Sequence, residues 1–146
     1  MNTIKDVLVE KFKDVFGYDP GDVYETRIRN ARSVICQEKY DEEDMIEIWD
    51  TSIFSNGKSG LVLTVDSVCV NASENFTSKF IAKYADIDYM HIEEDSFLGI
   101  DTSSLDLEMK YGVTYQISLE DFDKEDMKEF ITYAMSLYTE TVELEG

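Results

Sequence analysis

The spacing of apolar residues changes near residue 44, from the helical period of about 3.6 to the strand period of about 2, and no other feature constrains the fold as strongly. Upstream, Ile4, Val7, Leu8, Phe12, Val15 and Phe16 recur at steps suited to one stripe of an amphipathic helix. Thr3 and Asp6 supply a capping signal at its start, Gly17 a stop, and Tyr18-Asp19-Pro20-Gly21-Asp22 a turn. A second helix is predicted from about residue 22 to 38, with Tyr24, Ile28, Ala31 and Ile35 on one face. It holds every arginine of the chain, Arg27, Arg29 and Arg32, which are expected to pair with nearby acids.

Downstream the runs shorten and become rich in β-branched and aromatic residues. Met45–Trp49, Leu61–Val65, Val68–Val70, Lys79–Ala82, Tyr89–Ile92, Leu105–Met109 and Val113–Ile117 read as strands. Asn56-Gly57, Asp66-Ser67, Asp101 to Ser104 and Tyr111-Gly112 are the turn signals between them. No strand–helix alternation of a parallel sheet is present, so the strands are expected to form an antiparallel sandwich or partly closed barrel. A last helix is predicted from about Asp123 to Tyr138, with Met127, Phe130, Ile131, Ala134, Leu137 and Tyr138 as its apolar stripe and Asp123 as its cap. The expected class is therefore α+β: two N-terminal helices in residues 1–40 packed on the same domain, a β domain with its closing helix in 41–138, and an acidic tail in 139–146.

The stretch Ser55-Asn56-Gly57-Lys58-Ser59-Gly60 contains the Gly-Lys-Ser of a phosphate-binding loop but not its context. Such a loop needs a glycine five positions earlier, where Ser52 stands, and a helix afterwards, where Leu61–Val65 reads as a strand. The segment is better suited to a hairpin connection, in which Asn56-Gly57 can adopt positive φ.

With the strand ending in Asp50-Thr51-Ser52-Ile53-Phe54 before it and Gly60-Leu61-Val62-Leu63-Thr64 after it, this hairpin resembles the opening of bacterial pleckstrin-homology-like domains. Ala82-Lys83-Tyr84-Ala85-Asp86-Ile87 is similar to a later segment of the same family. The resemblance covers about residues 41–138. It implies a bent antiparallel barrel of about seven strands, capped by the C-terminal helix, serving as a non-catalytic scaffold for protein or lipid binding. Lipid-binding members cluster basic side chains near the first hairpin. Here only Lys58, with Lys79 and Lys83, could do so, within a strongly negative field.

That field is the most unusual global property. The formal charge is −19, and residues 84–146 carry 17 acids against 3 bases, whereas residues 1–83 carry 15 against 10. Such a surface repels nucleic-acid phosphates and anionic lipid, and attracts basic protein. Glu93, Glu94, Asp95, Asp121, Asp123, Glu125 and Glu129 are the expected contact residues for a basic partner, itself a candidate nucleic-acid-binding protein. Nuclease inhibitors, immunity proteins and phage-encoded inhibitors of host defence are similar in size and charge. The competing expectation is an accessory domain that binds a peptide, or a second copy of itself as a homodimer, through apolar grooves and edge strands. Trp49, Phe54 and Phe97 would then contribute.

No catalytic constellation is legible. His91, the sole histidine, lies in an alternating run and no nucleophile elbow accompanies it. The acidic runs lack the calcium-loop pattern, and Cys36 and Cys69 lack ligand spacing, so no cofactor or metal is expected and both thiols are expected to be buried and reduced. The charged N-terminal stretch has no signal-peptide core and no run of about 18 apolar residues, giving the expectation of a cytoplasmic protein without membrane insertion.

Overall fold

The computed structural model describes residues 3–21, 25–50, 59–71, 79–94, 96–98, 100–101, 103–118 and 122–145. Helix α1 (Ile4–Phe16) begins at a reciprocal cap, in which the Thr3 hydroxyl accepts from the Asp6 amide and the Asp6 carboxylate accepts from the Thr3 amide. It ends at Gly17, whose φ of +82° is a left-handed conformation that side chains with a Cβ rarely take. Leu8 and Phe12 on this helix are fully buried, so the N-terminal segment contributes to the main core rather than resting on it.

The predicted second helix is shorter and less regular. Its α-helical part, α2 (Glu25–Asn30), runs directly into a π-turn at Ala31–Ile35, and Gln37 and Glu38 then take positive φ. The wider turn buries Ala31, Ile35 and the adjacent Cys36 together. Arg32 pairs with Asp41 at 3.7 Å, as expected of these arginines; the Arg27 side chain lies outside the described residues.

Strands β1 (Met45–Asp50), β2 (Gly60–Thr64), β3 (Ser67–Asn71) and β4 (Lys79–Lys83) form one antiparallel meander in sequence order. Asp50 pairs with Gly60, so residues 51–58 join two antiparallel neighbours; that segment, with Ser52, Phe54 and Lys58, lies outside the described residues. β2 and β3 are covered on both faces. Leu61, Leu63, Val68 and Val70 enter the main core, while Val62 and Cys69 meet Ala31, Ile35 and Cys36 on the other side. The unbroken apolar run of β2 follows from this double burial.

At the β2–β3 turn, Thr64 Oγ1 accepts the Ser67 amide at 2.9 Å. Two tyrosines clamp the same turn: Tyr84 donates its hydroxyl to the Thr64 carbonyl at 2.8 Å, and Tyr138 donates to the Val65 carbonyl at 2.6 Å. A 3-10 turn at Tyr84–Asp86 then carries the chain into a second sheet.

This sheet has the order β5 (Ile87–Glu93), β8 (Ser104–Met109), β9 (Thr114–Ile117), and between β5 and β8 a small ribbon pairs β6 (Ser96–Phe97) with β7 (Ile100–Asp101). Each predicted strand is present, and the ribbon is additional. The two main sheets are separate and open, which corrects the bent, partly closed barrel among the expected forms and leaves that of two antiparallel sheets. Among the described residues they meet through side chains instead of a shared hydrogen-bond ladder, as in the parallel stacking of Phe80 on Tyr115 with centroids 4.4 Å apart.

Helix α3 (Lys124–Glu145) covers the inner face of the second sheet with Met127, Phe130, Ile131 and Ala134. It continues through the residues expected to form an acidic tail, because Thr139–Glu145 contains no glycine or proline to stop it. The fold is thus α+β, with antiparallel sheets of four and three strands and a C-terminal helix. Among the described residues no helix is long and apolar enough to cross a membrane.

Candidate functional site

The strand alternation of the second sheet sets apart two chemically different faces. Met90, Ile92, Leu105, Leu107, Met109, Tyr115 and Ile117 turn inward to the core. Their neighbours Tyr89, His91, Glu93, Asp106, Glu108 and Thr114 therefore lie on the outer face. The sequence-predicted contact residue Glu93 belongs here, and Glu94 follows it, exposed, just beyond the strand.

Glu93 is not an isolated charge. Its Oε1 lies 3.2 Å from His91 Nδ1, while His91 Nε2 lies 3.1 Å from Glu108 Oε1 and 3.9 Å from Asp106 Oδ2. The hydrogen bond to Glu108, reinforced by the fields of Asp106 and Glu93, holds the imidazole above its ordinary pKa against the opposing effect of desolvation. Glu108 is correspondingly lowered, first by the hydroxyl of Thr114 and then by His91. Sequence reading missed this network. His91 meets Asp106 through the pairing register of β5 with β8, which alternation within either strand does not encode.

The remaining predicted contacts lie on α3, at the other side of the second sheet. Asp123 is exposed, and its Oδ1 accepts the amides of Glu125 at 2.8 Å and Asp126 at 3.2 Å, which makes it the N-cap of the helix. Glu125 and Glu129 are exposed one turn apart and line a shallow groove with Lys11, Lys128 and Tyr133. Lys11 faces Asp14 at 3.9 Å and the ring of Tyr133 at 5.2 Å instead of either glutamate. Asp126, not among the predicted contacts, is pushed above its ordinary pKa first by desolvation and then by the charges of Asp123, Glu129 and Glu125. Asp95 and Asp121 lie outside the described residues.

The predicted acids consequently fall into two groups, Glu93 and Glu94 at the end of β5 and Asp123, Glu125 and Glu129 on α3, and not into one patch. Their pairing differs from that of the N-terminal region. There Lys11 meets Asp14, Lys13 meets Glu10 and Asp19, and Arg32 meets Asp41. Among the described residues, Glu94, Glu125 and Glu129 pair with no lysine or arginine.

The two cysteines, distant in sequence, are neighbours in the smaller core, both free and fully buried. Contact with Cys69 and then burial push the Cys36 thiol far up, away from the thiolate form that metal binding or nucleophilic chemistry requires.

The fold and surface define an acidic α+β domain with two exposed groups of carboxylates. Scans against protein-family models, curated proteins and solved structures find no match to this chain.

Proposed function

We propose that this chain is a non-catalytic interaction domain that binds, and by binding inhibits, a basic protein. The observation that carries the reading is the contrast in pairing among the described residues: basic side chains of the N-terminal region meet nearby carboxylates, whereas Glu94, Glu125 and Glu129 are exposed and pair with no described lysine or arginine. A cationic partner would supply countercharge to these carboxylates and to Asp126, whose neighbours Asp123, Glu129 and Glu125 add to the effect of desolvation in disfavouring its ionised form. The long-range field of a −19 chain would also steer such a partner, raising its association rate by roughly 10-fold to 1,000-fold. Meander order followed by a closing helix supports the pleckstrin-homology-like description as a scaffold for this surface.

A second reading rests on β9. It is the edge of its sheet, with Tyr111 and Val113 exposed beside it, and could accept a strand from a peptide or a second copy of the chain. One experiment separates the two: capture of binding proteins from host extract by the wild-type chain and by the variant carrying Glu94→Lys, Glu125→Lys and Glu129→Lys. Charge-led binding predicts a basic captured protein that the variant loses. Retention by the variant, or an acidic captured protein, would overturn the electrostatic reading and favour strand addition.

A further inference from the structure

The two main sheets present four edge strands, and three of them carry devices that discourage pairing with another chain. β1 has a register bulge between Met45 and Glu47 and bears the charges of Glu47 and Asp50. β4 places exposed Lys79 and Lys83 at its two ends. β5 has a bulge between Ile87 and Tyr89 and carries Asp88, His91 and Glu93. β9 has none of these. Its register with β8 runs without a shift, and the nine residues from Tyr111 to Leu119 contain no charge and no proline in a chain that is 31% charged.

Resting on the strand-addition reading of this edge, and not on the carboxylates of α3, we propose that β9 pairs antiparallel with β9 of a second copy of the chain. The two three-stranded sheets would then join into one continuous sheet.

The backbone is set for this pairing. The Met109 amide donates to the Val113 carbonyl at 2.9 Å, which fixes the phase of the ladder between β8 and β9. Val113, Tyr115 and Ile117 therefore turn their backbone groups to β8, and Thr114 and Gln116 turn theirs to the open edge. Among the described residues no strand pairs with that edge, and Val113, Thr114 and Gln116 are all exposed.

The side chains match themselves. A two-fold axis at Tyr115 sets Thr114 of one copy opposite Gln116 of the other, so the free N–H and C=O groups of each meet those of its partner. On the inner face Tyr115 then meets its own copy and Val113 meets Ile117, while the outer face brings together only the neutral Thr114 and Gln116. Tyr115 is half-buried; its ring already stacks on Phe80 and its hydroxyl accepts that of Tyr111 at 3.3 Å. A second Tyr115 extends an aromatic group that is in place.

Charge selects the occupant. Two chains of −19 repel each other over most of their surface, so a joint between copies needs a stretch without charge. The outer-face carboxylates of Asp106 and Glu108 belong to β8, one strand back from the joint in each copy. No like charges stand directly opposite, the arrangement that destabilises a strand pair. A basic foreign strand, by contrast, would find no carboxylate on β9 to meet its lysines.

The test is sedimentation equilibrium of the full chain at about 0.05 M and about 0.5 M salt, with amide hydrogen exchange followed by NMR. Expected is a monomer–dimer equilibrium that strengthens as salt screens the repulsion, the reverse of the response to a basic partner. The Thr114 and Gln116 amides, which face the open edge in the monomer, should exchange more slowly as concentration rises. Gln116→Pro removes an edge donor that the ladder to β8 does not use, so the fold should persist, which circular dichroism verifies, while dimer affinity falls at least about tenfold. A wild type that stays monomeric at about 1 mM in the higher salt, or a dimer that Gln116→Pro leaves unchanged, would overturn the proposal without touching the basic-partner reading, which the capture experiment decides. Slowing of the same amides only in host extract, without self-association, would assign the edge to a foreign strand and overturn it equally.

Discussion

Replacing Phe12 by alanine tests whether α1 belongs to the core that holds α3 in place. The ring is fully buried, with centroids 4.6 Å from Phe16, 5.2 Å from Tyr18, 5.9 Å from Trp49 and 6.0 Å from Phe130. Truncating a buried phenylalanine costs about 3–5 kcal/mol, through lost transfer free energy and the cavity left behind. The aromatic neighbours place this site in the upper part of that range, since each well-oriented ring pair adds about 0.5–1.5 kcal/mol beyond its buried area. With a urea dependence of about 2 kcal/mol per molar, the midpoint should fall by about 2 M. Trp49 is the only tryptophan and packs beside Phe12, so its fluorescence follows the core while far-ultraviolet circular dichroism follows the helices. Both probes should give one coincident transition, displaced together. A loss below about 1 kcal/mol, or a helical transition separated from the fluorescence change, would refute the assignment of α1 to the main core.

Further consequences concern α3 and the buried thiols. Asp123→Ala removes the acceptor of two helix amides and should cost about 1 kcal/mol, a melting temperature lower by about 2–4 °C. Asp126 has a folded pKa above its unfolded one, so its ionised form opposes folding at neutral pH, and the opposition fades as pH falls through the raised value. Asp126→Asn should therefore melt at or above wild type at pH 7, with the difference vanishing near the ordinary carboxylate range; a variant less stable at pH 7 than at pH 4, each relative to wild type, contradicts this. Neither Cys36 nor Cys69 should react with an aromatic disulfide reagent in the native chain, and both should react in denaturant; native reactivity would show that the smaller core opens.

Much of this architecture is legible in single elements. The caps at Thr3 and Gly17 and the alternation of Leu105-Asp106-Leu107-Glu108-Met109 follow from local stereochemistry. The ribbon of β6 and β7 is not legible, because two-residue strands carry no period. Nor is the π-turn, which the apolar spacing of Ile28, Ala31 and Ile35 describes equally well as an α-helix. Closure of the sheets and the meeting of His91 with Asp106 both depend on which strands pair and in what register, and that is decided by the packing of distant segments. The carboxylates were legible as charge but not as groups: sequence proximity joins Glu93 to Glu94 and Asp123 to Glu125, yet α3 and the outer face of the second sheet lie on opposite sides of β5 and β8.

The central claim is that unpaired carboxylates guide a basic protein to this chain. The most direct measurement is the association rate of the captured partner with the wild-type chain from low to high salt, with the dissociation rate recorded alongside. Electrostatic guidance predicts an association rate that falls at least about tenfold between roughly 0.05 M and 0.5 M salt, while dissociation changes little. An association rate indifferent to salt would contradict the account.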